Sequence, residues 1–340
     1  MNRRGPRVYP CASAARTSRS AFPTRPRLRR AAGRLTLPSL YVWDGTHAMP
    51  QLQARFEQAI AWYGARLPYH KGKWRVVEVL SRLAGLDAYY QGRSFAEERA
   101  GIRWRLHPEC MVQRAVHLFG EWEGDDTREM LKLVRPGMVM FDVGAYFGYY
   151  GLLAARHGGP TARVVAFEPF APNFAMLAAN KALNGFDNVE LVNQAVADVP
   201  GELTFRTPPD SNRGSGGLEL AADAGSGPRV AVTTLDAFVA ANGIDRLDLM
   251  KMDVEGAEVR ALAGARATLK RFNPVLMIEL DPGKLAKLHT TPGTLYDTLI
   301  GLDYRCYRAT SRGLTPFATP DSVTDFINLF CFPALGPQPK

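Results

Sequence analysis

The chain has 340 residues, 46% of them hydrophobic and 22% charged, which suits one large α/β unit with an N-terminal extension. No apolar run approaches the ~20 residues of a membrane span. Four scattered cysteines (Cys11, Cys110, Cys306, Cys331) argue against a disulfide scaffold and a zinc site, and point to a reducing, cytoplasmic setting.

The net charge of +9 belongs to residues 1–48, which hold ten Arg, no Lys and one acid, Asp44. Beyond them 32 basic and 32 acidic residues cancel, so the body lacks the charge bias of a non-specific nucleic-acid binder. This leader is rich in Arg, Ser, Pro and Ala and poor in large apolar side chains. It is expected to be disordered, with translation beginning at Met49.

From Met49 the text becomes helical. Gln51–Leu67 and Val76–Leu86 carry apolar residues at helical spacing, Ile102–Leu106 reads as a strand, and Asp125 or Asp126 can cap a helix through Val134. Residues 49–135 therefore read as a mainly helical N-terminal cap. From Gly137 strands alternate with helices, the pattern of an α/β parallel sheet covered on both faces, within a domain spanning 136–335. The strands are Met138–Val143, Arg163–Phe167, Val189–Val192, Leu247–Met252 and Val275–Leu280, closed by an antiparallel pair, Tyr304–Arg308 and Ile327–Phe332. Helices are expected over Tyr149–His157, Pro172–Leu183, Gly256–Phe272 and near Thr294–Leu302. Residues 206–229 read as a Gly-rich loop between Leu203–Phe205 and Val230–Thr233.

The first strand runs into Asp142-Val143-Gly144-Ala145-Tyr146-Phe147-Gly148, a bend where glycines let the backbone approach a ligand closely. Twenty residues after Gly148, at the end of the second strand, stands Glu168, placed to accept hydrogen bonds from the ribose hydroxyls of a nucleoside. The turn lacks GxGxxG, and the Asp142 carboxylate opposes a pyrophosphate but favours the ammonium and sulfonium of S-adenosylmethionine. A second cluster, Lys251-Met252-Asp253-Val254-Glu255-Gly256-Ala257-Glu258, ends a central strand, and Glu279 ends the next. Asp253 is expected to face the cleft, beside the cofactor and as general base for a hydroxyl acceptor, with Glu255 or Glu279 orienting that acceptor. Glu258 fits equally the positive start of the following helix. No metal is expected, since nothing in the spacing of these carboxylates demands one. His70, His107, His117 and His289 are expected to be structural.

The run DVGAYFGYYGLLAA, then FEP, NQAVAD, TTLDAF, KMDVEGAE and PVLMIEL, in order across about residues 109–333, resembles the FkbM family of methyltransferases. The resemblance implies a Rossmann-like, seven-stranded class I methyltransferase sheet and S-adenosylmethionine as cofactor. It puts Asp142, Gly144, Ala145 and Gly148 around the methionine moiety, Glu168 on the ribose, and the segment at Asn193 and Ala195 near the adenine. The family usually has Asn-Ile where this chain has Tyr146-Phe147, larger side chains that narrow the pocket. The resemblance further implies methylation of a hydroxyl on a sugar, glycolipid or polyketide-type molecule. Rival readings are a nucleic-acid methyltransferase, against which the neutral body and the KMDV in place of NPPY speak, a nucleotide-binding oxidoreductase, and a non-catalytic cofactor-binding protein.

Overall fold

The computed structural model describes residues 50–66, 72–219 and 227–336. The leader, Met49, Cys11, His70 and the middle of the 206–229 segment lie outside them.

The N-terminal region holds α1 (Pro50–Arg66), α2 (Lys73–Leu83), α3 (Leu86–Tyr90), β1 (Phe95–Arg99), β2 (Ile102–Leu106), α4 (Met111–Phe119) and α5 (Gly124–Leu133). The second helix ends before Leu86 because Gly85, in the left-handed region at φ +65°, separates it from α3. The strand expected at Ile102–Leu106 has an antiparallel partner, β1, whose sequence Phe-Ala-Glu-Glu-Arg carries too little apolar pattern to announce itself. This hairpin rests on the sheet domain: the backbone amides of Arg103 and Arg105 donate to the side-chain oxygens of Asn184 and Asn180.

The rest follows as β3 (Val139–Val143), α6 (Tyr149–Gly158), β4 (Arg163–Phe167), α7 (Ala171–Asn184), β5 (Val189–Val192), β6 (Ala195–Val196), β7 (Gly201–Arg206), β8 (Gly217–Leu218), β9 (Arg229–Thr233), α8 (Leu235–Ala241), β10 (Leu249–Met252), α9 (Glu258–Ala263), α10 (Arg266–Phe272), β11 (Val275–Leu280), α11 (Pro282–Lys287), α12 (Pro292–Gly301), β12 (Tyr304–Thr310), β13 (Gly313–Pro316) and β14 (Ile327–Pro333). The main sheet has the order β13-β12-β14-β11-β10-β3-β4-β5. β5, β4, β3, β10 and β11 are parallel, while β14 and β12 are antiparallel to their neighbours. This is the Rossmann-like α/β sheet the alternation calls for, with the closing pair where expected.

Three expectations change. The sheet has an eighth strand, β13, a short edge hairpin off β12. The helix expected over Gly256–Phe272 is two, α9 and α10, because the chain bends at Gly264, where a Cβ would lie 2.1 Å from the Ala197 carbonyl oxygen. The 206–229 segment is not only loop: Gly217–Leu218 pairs with β7 in a small separate sheet of order β6-β9-β7-β8.

Alternation along the parallel strands sorts side chains onto two faces. Phe141, Val143, Met250, Met252, Ile278 and Leu280 pack under α8, α9 and α12. Met140, Leu249 and Met277 point the other way, into a core shared with α6, Trp104 and Met130. Asp142, Lys251 and Glu279 share this second face, at the carboxyl ends of three neighbouring strands where ligands of open α/β sheets bind. Cys110, Cys306 and Cys331 are free thiols.

Candidate functional site

The turn after β3 is pressed against the end of β10. Gly144 has φ +83°, and a Cβ there would lie 1.8 Å from the Asp253 carbonyl oxygen, so only glycine fits. Two residues on, Tyr146 adopts φ +52°, which is unfavourable for a bulky side chain. Its phenol anchors it: the hydroxyl donates to Cys110 Sγ at 3.1 Å and accepts from Gln113 Nε2 at 2.5 Å, tying the turn to α4. The Tyr146 amide donates to Glu168 Oε2 at 2.9 Å, and the Phe170 amide to Glu168 Oε1 at 2.9 Å. Glu168 is thereby held rigid with lone pairs to spare, and burial pushes its carboxyl up to about 7. Asp142 Oδ2 accepts from the Gly151 amide at 2.8 Å, while its Oδ1 is buried without a hydrogen-bond partner.

On the other side lies a cluster of charges. The turn after β10 places Glu255 at φ +59° and Gly256 at φ +104°, a strained bend clamped from below by Glu258 Oε1, which accepts from the Val254 and Gly256 amides. Glu258 therefore serves the turn. Asp253 Oδ2 meets Lys251 Nζ at 3.1 Å, and that ammonium lies 5.4 Å from the Tyr150 ring centre. Lys284 Nζ, from α11, lies 2.8 Å from both Glu255 Oε1 and Glu279 Oε2, and 4.0 Å from Asp253 Oδ1. Burial alone would raise Asp253, but Lys251 and Lys284 outweigh it and hold this carboxyl well below the usual range. Glu255 and Glu279 go up, first through burial and then through the charge of Asp253. The cluster thus keeps Asp253 ionised and its two neighbours inclined to hold protons.

Both groups line one cavity, which also takes in Ala195, Glu123, Tyr150 and the rings of Trp122 and Phe326, stacked 6.3 Å apart. Its wall carries seven acids and two lysines. A cavity with such an excess of carboxylates, three of them with an orphaned oxygen, fits a cationic cofactor and resists a pyrophosphate.

Residues 142–306 match the family described as the methyltransferase FkbM domain. The chain carries an FkbM-family methyltransferase domain. Over 161 residues, 38% of the chain and 60% of the relative, it is 34% identical to the 31-O-demethyl-FK506 methyltransferase FkbM of Streptomyces tacrolimicus. Over 164 residues, 38% of the chain, it is 31% identical to 8% of the AMB antimetabolite synthetase AmbE of Pseudomonas aeruginosa. Among solved structures, methyltransferase FkbM of Methylobacillus flagellatus KT aligns over 82% of this chain and 58% of that one, at 19% identity and a TM-score of 0.37. The chain spans less than two thirds of each of these proteins.

Within the FkbM domain the structure brings together Asp142, Gly144, Ala145, Glu168, Ala195, Asp253, Glu255 and Glu279 on the cavity wall. Gly148 and Asn193 are not on that wall. Gly148 starts α6 against Leu177 and Leu152. Asn193 turns its amide back to the carbonyls of Glu168 and Pro169, and Gln194 takes the wall position. Tyr146 and Phe147 both line the cavity, Tyr146 with its hydroxyl bonded to Cys110 and Gln113 and Phe147 with its ring against Trp104. His107, His117 and His289 are away from the cavity. Sequence reasoning missed Lys284 and Glu123 and gave Lys251 no role. Alternation along β10 places Lys251 on the Asp142 face, whereas no local pattern marks Lys284, which acts from a helix after the next strand.

Proposed function

We propose that this chain transfers the methyl group of S-adenosylmethionine to a hydroxyl oxygen of a small, ring-bearing acceptor such as a sugar or polyketide-type molecule. The observation that carries the reading is Glu168, held by two backbone amides across one cavity from Asp253. When bound, the cofactor supplies an electrophilic methyl carbon on a sulfonium. Asp142, Gly144 and Ala145 would hold its methionine moiety, Asp142 Oδ1 offering a partner for the ammonium. Glu168 would accept from the ribose hydroxyls, and Ala195 with Gln194 would border the adenine.

A hydroxyl acceptor must shed a proton of high pKa, so a group that receives it speeds the reaction. Asp253, ionised between two ammoniums, takes this role in our reading, with Glu255 and Glu279 orienting the acceptor through Lys284. The Trp122–Phe326 pair offers a flat apolar wall for a ring, and Met111 and Val112 of α4 also border the cavity. Oxygen as the target draws support from the Streptomyces tacrolimicus relative, named for O-methylation of FK506. The free thiols favour a cytoplasmic setting.

Because the ionised form of Glu168 is the better acceptor, affinity for S-adenosylmethionine is expected to rise with pH. The rise approaches tenfold per unit below about 7 and flattens above it. Calorimetric titration between pH 5.5 and 8.5 reads this, with Glu168→Gln expected to remove the slope. A wild-type affinity that stays level over that range would refute the ribose role of Glu168.

A further inference from the structure

We propose that Lys284 is a built-in cation. Its ammonium fills the space among Asp253, Glu255 and Glu279 that a divalent ion would otherwise occupy, and seats the acceptor oxygen between itself and Asp253. The seating rests on the O-methyl-transfer reading above; the filling of the space does not.

The three carboxylates each offer an oxygen within 4.8 Å of the others, a spacing that suits a hard divalent cation. Lys284 Nζ stands among them, 2.8 Å from Glu255 Oε1 and 2.8 Å from both Glu279 oxygens. Backbone packing brings it there. The Asp281 side chain caps α11 by accepting from the Gly283 and Lys284 amides. The Lys284 carbonyl oxygen then lies 2.3 Å from where a Cβ of Gly256 would be, so a side chain at 256 would push the helix out. With three carboxylates around it, the ammonium stays charged despite burial.

An ammonium has three N–H donors, and three oxygens stand 2.8 Å from it, Glu255 Oε1 and the two of Glu279. When the two oxygens of the one Glu279 carboxylate share a single N–H, one donor is left for a further oxygen, and Asp253 Oδ1 at 4.0 Å is beyond its direct reach. That oxygen and Glu255 Oε2 are both buried without a hydrogen-bond partner. An oxygen about 2.8 Å from both Lys284 Nζ and Asp253 Oδ1 bridges the gap with normal geometry. A hydroxyl satisfies it fully, accepting from the lysine and donating to the aspartate. As the new C–O bond forms and the C–S bond breaks, the hydroxyl proton passes to Asp253, and the negative charge developing on oxygen faces the ammonium. A protonated amine has no lone pair to offer Lys284, so the same seat selects oxygen over nitrogen.

The test uses Mn²⁺ alone, followed by electron paramagnetic resonance of the free ion, on the full chain and on K284M and K284A. The wild-type chain is expected to leave Mn²⁺ free, and each variant to bind it about 10- to 100-fold more tightly than wild type. Adding Asp253→Asn should abolish the gain. Thermal melts and S-adenosylmethionine titration identify folded variants. If neither variant folds, the wild-type chain decides alone: Mn²⁺ left free supports the proposal. Wild-type binding as tight as that of a folded variant, or wild-type binding lost in Asp253→Asn, would overturn it, as would two folded variants that bind no Mn²⁺. For the seat itself, K284M should slow transfer to a hydroxyl acceptor about 100-fold with cofactor affinity unchanged. Should no acceptor be methylated by any form while the Mn²⁺ result holds, the O-methyl-transfer reading fails and the built-in cation stands.

Discussion

Replacing Asp253 with asparagine is expected to lower methyl transfer to a hydroxyl acceptor by about 10²- to 10⁴-fold, with S-adenosylmethionine affinity within a few-fold of wild type. The substitution keeps the shape of the side chain and removes its charge. Asp253 is the carboxylate of the cluster whose ionised form is favoured, because Lys251 at 3.1 Å and Lys284 at 4.0 Å outweigh the cost of burying it. Without it, the repulsion that raises Glu255 and Glu279 is relieved, and both ionise more readily beside Lys284. Neither is thereby aligned as Asp253 is, whose backbone is fixed by Gly144 and by the end of β10. Single-turnover rates, measured beside cofactor affinity, check this. Transfer within tenfold of wild type would move the proton-accepting role off Asp253, and an equal loss of cofactor affinity would mean that Asp253 serves binding instead.

The second large effect is on stability. His117→Ala is expected to cost about 3–5 kcal/mol, because it removes the buried cation from between two carboxylates of the cap. His117 is buried in α4, with Nε2 2.5 Å from Glu57 Oε1 of α1 and Nδ1 2.6 Å from Glu97 Oε1 of β1. Arg99 lies 2.5 Å from the other Glu97 oxygen and also donates to the His117 carbonyl. Burial works against the imidazolium, but the bonds to Glu57 and Glu97 outweigh it and bring His117 up to about 9. The folded value thus lies above the unfolded value of about 6.5, so the contribution is complete below pH 6.5 and is lost as pH rises through 9. Its size is about 3 kcal/mol. Urea unfolding at pH 6 and pH 9.5 should show that loss in the wild type and little of it in His117→Ala. Equal pH dependence in the two proteins would mean that the imidazole is not charged in the fold.

The parallel strands and the acids of the cavity wall were legible because their signals are local. Leu249–Met252 and Val275–Leu280 are short apolar runs, and Asp142, Glu168 and Asp253 each end a strand in a recognisable turn. What escaped depends on approach between distant segments. The break at Gly264 comes from the Ala197 carbonyl, sixty-seven positions earlier in the chain. Strand β13 is four residues long and ends in a proline, too little for a periodic signal. Asn193 sits one residue from the wall residue Gln194, in the link between β5 and β6, and local pattern does not show that its amide turns back to Glu168 and Pro169. Lys284 joins Asp253 only because α11 folds back over Gly256, and His117 meets Glu57 only when α1 packs on α4. The larger side chains at 146 and 147 read as a narrowing of the pocket. In the fold both residues line the cavity, with the Tyr146 hydroxyl bonded to Cys110 and Gln113 and the Phe147 ring centre 5.5 Å from that of Trp104.

The central claim is a cavity built for S-adenosylmethionine, and the most direct measurement is calorimetric titration of the full chain with that molecule, alongside NADH and a Glu168→Ala variant. The account predicts roughly micromolar binding of S-adenosylmethionine, weakened about 10- to 100-fold in Glu168→Ala, and no comparable binding of NADH. Binding of NADH in preference, or S-adenosylmethionine affinity indifferent to Glu168, would contradict it.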